Sequence, residues 1–344
     1  LAKFFKKGNF EGFNRTYLMT TVNKGTLKDF ISFGSGLGGN YTSPIWKGFQ
    51  IKIGGSFIFN LAGTDLTVND SITGKPSRYE LGLYDLKNPD KRWDLGKLEQ
   101  AQLIYHLRKS SVSIGRQLLN TPFINPQDGR IRPTFEEGLW LDIKELKKFQ
   151  FQAGYLWRIS PRSVMGWYEI GESMSFYPSG RNPNGKPSGY QGNVNSKGVA
   201  LANVNFNNKN EKLGCEMKIQ LWDQLILNVS NSIMLQADWS KMLNENGLKF
   251  ILGAQGIFQH SVGNGGNALD SLKFFPSGNK TFILGAQIGL KSKKRSVEIN
   301  YNRMFGSGGC LSAREWGREP LYTFLPRERL EGAGDVHGLS LSFI

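Results

Sequence analysis

Arginines grouped among aromatic residues are the side chains of this sequence best suited to chemistry. In "NTPFINPQDGRIRPTFEEG" (120–138), Arg130 and Arg132 stand two apart beside a turn-like Asp128 and Gly129, and three prolines stiffen the segment. In "CLSAREWGREPLYTFLPRERLEGAGDVHG" (310–338), Arg314, Arg318, Arg327 and Arg329 are interleaved with Trp316, Tyr322 and Phe324. A planar guanidinium captures carboxylate or phosphate with two parallel hydrogen bonds, so the chemistry on offer is anion recognition. That many aromatics predict a packed loop, and a loop folded into a sheltered interior has a binding task there. The plainer alternative is a solvated loop whose Arg and Glu residues pair with one another.

Other chemistries find less support. His106, His260 and His337 lie in different segments, and Cys215 and Cys310 share no metal-type spacing, so no metal cluster, Ser-His-Asp arrangement or disulfide framework stands out. "GSGLGG" (34–39) matches G-x-G-x-x-G, but "NYTSPIWKG" follows it, with a proline and a further strand where a nucleotide site needs a helix. No cofactor and no catalytic step are expected. The formal net charge is +15, yet the basic residues are dispersed apart from short groups such as "KSKKR" (291–295). Without a groove-reading module, that dispersal argues against a nucleic-acid partner.

The elements that must position these arginines are strands. In "GFQIKIGGSFIFN" (48–60), Phe49, Ile51, Ile53, Phe57 and Phe59 share one parity, and Gln50, Lys52, Gly54, Ser56 and Asn60 the other. That is strand alternation, sustained for twice the usual strand length. "FQFQAGYLWRIS" (149–160) repeats it, with Ile159 on the apolar parity and Arg158 on the polar one, and "FILGAQGIF" (250–258) is echoed by "FILGAQIGL" (282–290). The periodicity predicts about fourteen strands, at 12–23, 30–42, 48–60, 100–108, 111–119, 138–145, 149–160, 198–207, 213–223, 225–239, 248–261, 280–291, 295–305 and 338–344. No stretch reaches the length of an apolar membrane helix. The connections are one-sided: tight turns such as "KSS" (109–111) and "ELKK" (145–148) alternate with long segments at 61–99, 120–137, 161–197, 262–279 and 306–337.

Strands of this length with long loops at one end are what an outer-membrane barrel shows. A bilayer core about 30 Å thick, crossed at a tilt, requires strands of about nine to eleven residues, and hydrocarbon offers backbone groups no partners, so the sheet must close. A soluble sandwich would have shorter strands and less one-sided loops. Lys52 on the lipid side would cost on the order of 2 to 4 kcal/mol at mid-membrane depth, so the polar parity faces the lumen. Lys52, Arg108, Lys144, Arg158, Lys218, Lys249 and Lys291 then line the wall, against Asp142, Glu216, Asp238 and Glu298. Such a lining concentrates anions; equally, mixed charges could simply hydrate the wall and pair. Arg116 shares parity with Val112 and Ile114, which requires a bulge or a rim position.

"GRQLLNTPFINPQDGRIRPTFEEG", "ISPRSVMGWYEIGES" (159–173) and "EWGREPLYTFLPRERLEGAGDVH" resemble the OprD-type porin family, in a form associated with Bacteroidota. The resemblance runs over most of the chain. It implies an all-β, transmembrane, antiparallel up-and-down barrel of eighteen strands in the Gram-negative outer membrane, with the third and seventh extracellular loops folded inward and a ladder of basic residues guiding small solutes, typically carboxylates or amino acids. By motif position, Arg130 and Arg132, with Asp128 between the prolines, fall in or near the third loop, and Arg314, Arg318, Arg327 and Arg329 in the seventh. Residues 1–344 form a single barrel domain on this reading. With about fourteen strands readable and a final Ile344, it is expected to lack C-terminal strands, although an even count of fourteen is also permitted.

The expected function is a passive diffusion channel for small anionic solutes. The partners implied are those solutes, outer-membrane lipid and lipopolysaccharide. A second reading makes the barrel a scaffold for surface lipoproteins or a secretion assembly, without open-channel activity.

Overall fold

Period-two alternation becomes one antiparallel sheet in the computed structural model, which describes residues 6–77, 79–91, 93, 95–127, 130–176, 189–306, 312–324, 332 and 334–343. The strands are β1 (Asn9–Thr21), β2 (Phe30–Thr42), β3 (Phe49–Gly63), β4 (Leu95–Leu107), β5 (Ser110–Gln117), β6 (Phe135–Ile143), β7 (Phe149–Ser160), β8 (Tyr168–Glu169), β9 (Val199–Asn210), β10 (Cys215–Ile226), β11 (Ser230–Met242), β12 (Lys249–Ser261), β13 (Lys280–Lys291), β14 (Ser296–Phe305) and β15 (Val336–Phe343). Each long strand pairs with its neighbour in sequence, the two-residue β8 leans on β7, and among the described residues β1 and β15 remain the two edges. One helical turn, α1 (Ile170–Ser173), lies within a long connection.

The strands expected at 30–42, 149–160 and 280–291 coincide with β2, β7 and β13. The turn expected near residue 224 falls later. β10 continues to Ile226, and Asn228, in the left-handed region at φ 63°, makes the corner inside the segment predicted as strand 225–239. The alternating Leu225, Leu227 and Val229 run straight through that corner, which is why periodicity alone did not reveal it.

The two faces differ as the parity requires. Phe49, Ile51, Ile53 and Phe57 are 44, 40, 52 and 54% exposed, whereas Ser56, Ile58 and Asn60 between and beyond them are buried. Phe151 and Leu284 are likewise exposed. The apolar parity is therefore the outer surface, and the long connections fold back onto the polar face. There they form two apolar cores: one joins Phe30, Ile58, Leu83, Tyr84 and Leu95 to Ile131, and the other joins Ile124, Leu156, Val199 and Phe275 to Trp316.

"GSGLGG" is the floor of the first core. Its inward positions are Gly34, Gly36 and Gly38, where an added Cβ would lie 2.7 Å from Tyr84 Oη, 2.4 Å from Ile131 Cγ2 and 2.4 Å from Phe13 Cζ. The glycines give Tyr84 and Ile131 of the long connections, and Phe13 of β1, direct access to the strand backbone.

Register slips three times, between Phe33 and Gly34 against β3, between Gly54 and Gly55 against β4, and between Glu137 and Gly138 against β7. Each slip leaves an extra residue on the facing strand, the geometry of a β-bulge. The extra residue on β4 is Glu99, and that on β7 is Trp157.

Candidate functional site

The inner face is narrowed by two connections that lock onto each other. In the first, Thr121 N–H and Oγ–H both donate to Ile124 O, at 2.8 and 3.0 Å, closing a tight turn that presents Asn125. Asn125 then bonds the second connection three times: its backbone N–H donates to Trp316 O (2.9 Å), its Nδ2 donates to Arg318 O (2.9 Å), and its Oδ1 accepts Arg318 N–H (3.1 Å). Between those partners Gly317 has φ 139°, and an added Cβ would meet Asn125 Oδ1 at 2.5 Å, so only glycine fits. Thr134 Oγ donates to Glu315 O at 2.6 Å, and the Trp316 indole N–H donates to Ser173 Oγ at 3.0 Å, adding the α1 connection to the same knot.

The second connection is also tied to the wall. Tyr322 donates to Asp238 Oδ1 of β11 (2.8 Å), Gln255 Nε2 of β12 donates to Pro320 O (2.8 Å), and Thr323 donates to Asn302 Oδ1 of β14 (2.9 Å). Burial and the Asp238 carboxylate push the Tyr322 phenol well above its ordinary range, so it remains a donor.

The arginines predicted from the two loops divide in role. Arg132 grips Glu99 of β4 with both arms, and Ser56 Oγ supports that carboxylate at 2.6 Å. Its guanidinium also lies 3.9 Å from the Phe13 ring centroid. Arg130, in the left-handed region at φ 48°, donates to Tyr79 O at 2.6 Å. Arg314 opens a short 3-10 turn, and Arg318 lies 3.9 Å over the Phe324 ring. Asp128, Arg327 and Arg329 lie outside the described residues.

Of the seven predicted wall cations, Lys52, Lys218, Lys249 and Lys291 are on the inward parity, and Lys144 stands just past the end of β6. Lys144 bonds Asp142 at 2.6 Å and Lys218 bonds Glu216 at 3.2 Å. Lys249 and Lys291 are direct cross-strand partners. Two placements differ from expectation. Arg108 sits in the turn between β4 and β5 with φ 54°, because the strand ends one residue earlier, at Leu107. Arg158 is on the outer parity, because the Trp157 bulge reverses the alternation and turns Ile159 inward, where it is fully buried. Arg158 faces Glu137 in register; Glu137 also binds Arg116 (3.0 Å) and the Trp157 indole (2.9 Å). Arg116 thus takes the rim position on the outer face.

Lys97, Glu99, Glu136 and Asn125 escaped the sequence reading. The first two fall within the long connection expected at 61–99, since Leu95 and Leu98 stand on opposite parities and hide the alternation of Lys97 and Glu99. Lys97 donates to Val164 O at 3.3 Å and lies 5.5 Å from the Phe135 ring centroid. Glu136, also fully buried, accepts Leu119 N–H at 2.8 Å. The one available signal was the Asn125-Pro126 step, a turn mark within an otherwise apolar run.

Residues 70–249, more than half of the chain, match the family described as outer membrane porin, OprD family. No curated protein matches the sequence. Among solved structures, OccAB3 of Acinetobacter baumannii superposes with a TM-score of 0.73 at 15% identity, over 98% of this chain and 76% of that one. OccK9 (OpdG) of Pseudomonas aeruginosa gives 0.68 at 13% identity, over 94% and 74%. OpdK of Pseudomonas aeruginosa, in its structure with vanillate, gives 0.65 at 14% identity, over 89% and 69%. At these identities the likeness shows the fold.

Proposed function

Because the chain belongs to the OprD family of outer membrane porins, we propose that it is a water-filled diffusion channel that favours small anionic solutes of the carboxylate type, narrowed where the connections around Asn125 and Trp316 meet. The observation that carries the anionic preference is the pairing of Lys249 with Lys291, side by side on the inward parity of β12 and β13. Like charges directly opposite in a sheet repel, and a passing anion relieves that repulsion. Lys52 adds a third inward cation, whereas Lys144 and Lys218 are largely balanced by Asp142 and Glu216. The low-dielectric wall focuses this field along the lumen. OpdK, similar in fold, has a structure with vanillate, which is a carboxylate.

The test is a reversal potential in planar bilayers under a potassium chloride gradient. The native chain is expected to prefer chloride, and the double variant Lys249→Glu, Lys291→Glu to move the potential toward cation preference. Identical potentials for the two would refute the assignment.

A further inference from the structure

The outer face carries a concavity that diffusion through the lumen does not use. Ala237, Ala254 and Ala286 are aligned by register across β11, β12 and β13, with Gly256 beside them. Their small size leaves a groove of about 700 Å³ walled by Ile233, Leu235, Phe258, Phe282, Leu284 and Tyr301. It lies toward the long-loop end of the strands, since Phe258 is near the end of β12 at Ser261 and Phe282 near the start of β13 at Lys280. Two residues further along, on the same outward parity, Asn231, His260 and Lys280 form a second aligned row. At a strand rise of about 3.3 Å per residue, that polar row stands about 7 Å beyond the aromatic top of the groove.

The polar row is equipped for an anion. Lys280 is exposed, and His260 holds its Nδ1 against Ser261 O at 3.0 Å, which leaves Nε2 for an outside partner. Of the nearby acids, Asp335 is engaged by Arg303, and Asp223 stands on β10, beside Ile233 and below the row. The rings of Phe258 and His260, 5.5 Å apart, and of Phe282 and Phe305, 6.0 Å apart, place aromatic side chains at the same level, as at a membrane–water interface.

We propose that this groove holds an acyl chain of a phosphorylated, multiply acylated lipid of the outer leaflet, with its phosphate on Lys280 and His260. The occupant follows from depth and charge: an apolar slot within the membrane, surmounted by cations at headgroup level, fits a lipid carrying both chemistries. A second copy of the chain fits less well. All copies share one orientation in a membrane, so a two-fold axis along its normal would bring Lys280 toward Lys280 at equal depth.

Native mass spectrometry of the full chain in non-ionic detergent tests this, with a diphosphorylated, hexa-acylated glucosamine disaccharide as the probe and its dephosphorylated form as the comparison. One retained phosphorylated lipid per chain is expected. Binding is expected to fall about tenfold or more on dephosphorylation or in Lys280→Glu, the loss of a charge-assisted contact, and to disappear in Ala254→Phe, which fills the groove. Each variant is first shown to keep native circular dichroism and single-channel conductance, so that loss of the channel is scored separately from loss of the lipid. Equal retention of both lipids by native chain and Lys280→Glu would overturn the proposal, as would a dimer abolished by Ala254→Phe in place of the lipid adduct.

Discussion

Arg132 grips a carboxylate, but that carboxylate is Glu99 of the wall, so its fork is engaged in docking the loop. With Glu99 fully buried, Arg132→Ala removes its two-armed partner and leaves the carboxylate only Ser56 and the neighbouring Lys97, and is expected to cost on the order of 3 kcal/mol. The check is a lowered unfolding midpoint in detergent together with proteolytic cleavage within 120–134; an unchanged midpoint would show the pair to be dispensable. Asp70 acts in a similar way in the connection after β3. Its carboxylate accepts the backbone N–H of Lys28 (2.6 Å), then those of Thr73 (2.7 Å) and Ile72 (3.1 Å), and these bonds lower its pKa from 3.8 to about 2. A lowered carboxylate pKa contributes stability that is fully present above the ordinary value and is lost as pH falls through the folded one. Protection of the amides around Lys28 and Thr73, measured against the intrinsic exchange rate at each pH, is therefore expected to fall as pH drops from about 4 to about 2, and Asp70→Asn to remove that step.

Among the elements, β2 shows how a strand can be built to receive a loop. Gly36→Val would drive a side chain into Ile131, whose Cγ2 already lies 2.4 Å from the position of an added Cβ. The variant is expected to undock the Asn125 loop and raise single-channel conductance. Gly12→Val on β1, where the nearest atoms to an added Cβ are 3.8 Å away, is the control and should leave conductance unchanged. The bulges act at the same scale. The one on β4 brings Glu99 inward beneath Arg132, and the one on β7 sends Arg158 outward to Glu137.

For the whole molecule, the decisive property is which face meets hydrocarbon. Leu284→Arg places a charge on the outward parity near the middle of β13, and at that depth it is expected to cost about 2 to 4 kcal/mol. Gln287→Arg puts the same side chain on the inward parity, beside Glu298, and should leave the guanidinium unfolding midpoint in lipid vesicles unmoved. Equal losses in the two variants would contradict the assignment of faces.

The order of the strands, the outward greasy parity and the crowding of long connections at one end were legible in the residues alone, because strand period and turn chemistry are local properties of the backbone. Lys52, Lys218, Lys249 and Lys291 were placed on the inner parity by that period and stand there. Where Arg158 points, where Arg132 lands and what Asn125 binds were decided by tertiary structure. A bulge depends on the register of a neighbouring strand, and a docked loop on partners as distant in sequence as Asn125 and Arg318. No periodicity within one segment carries either.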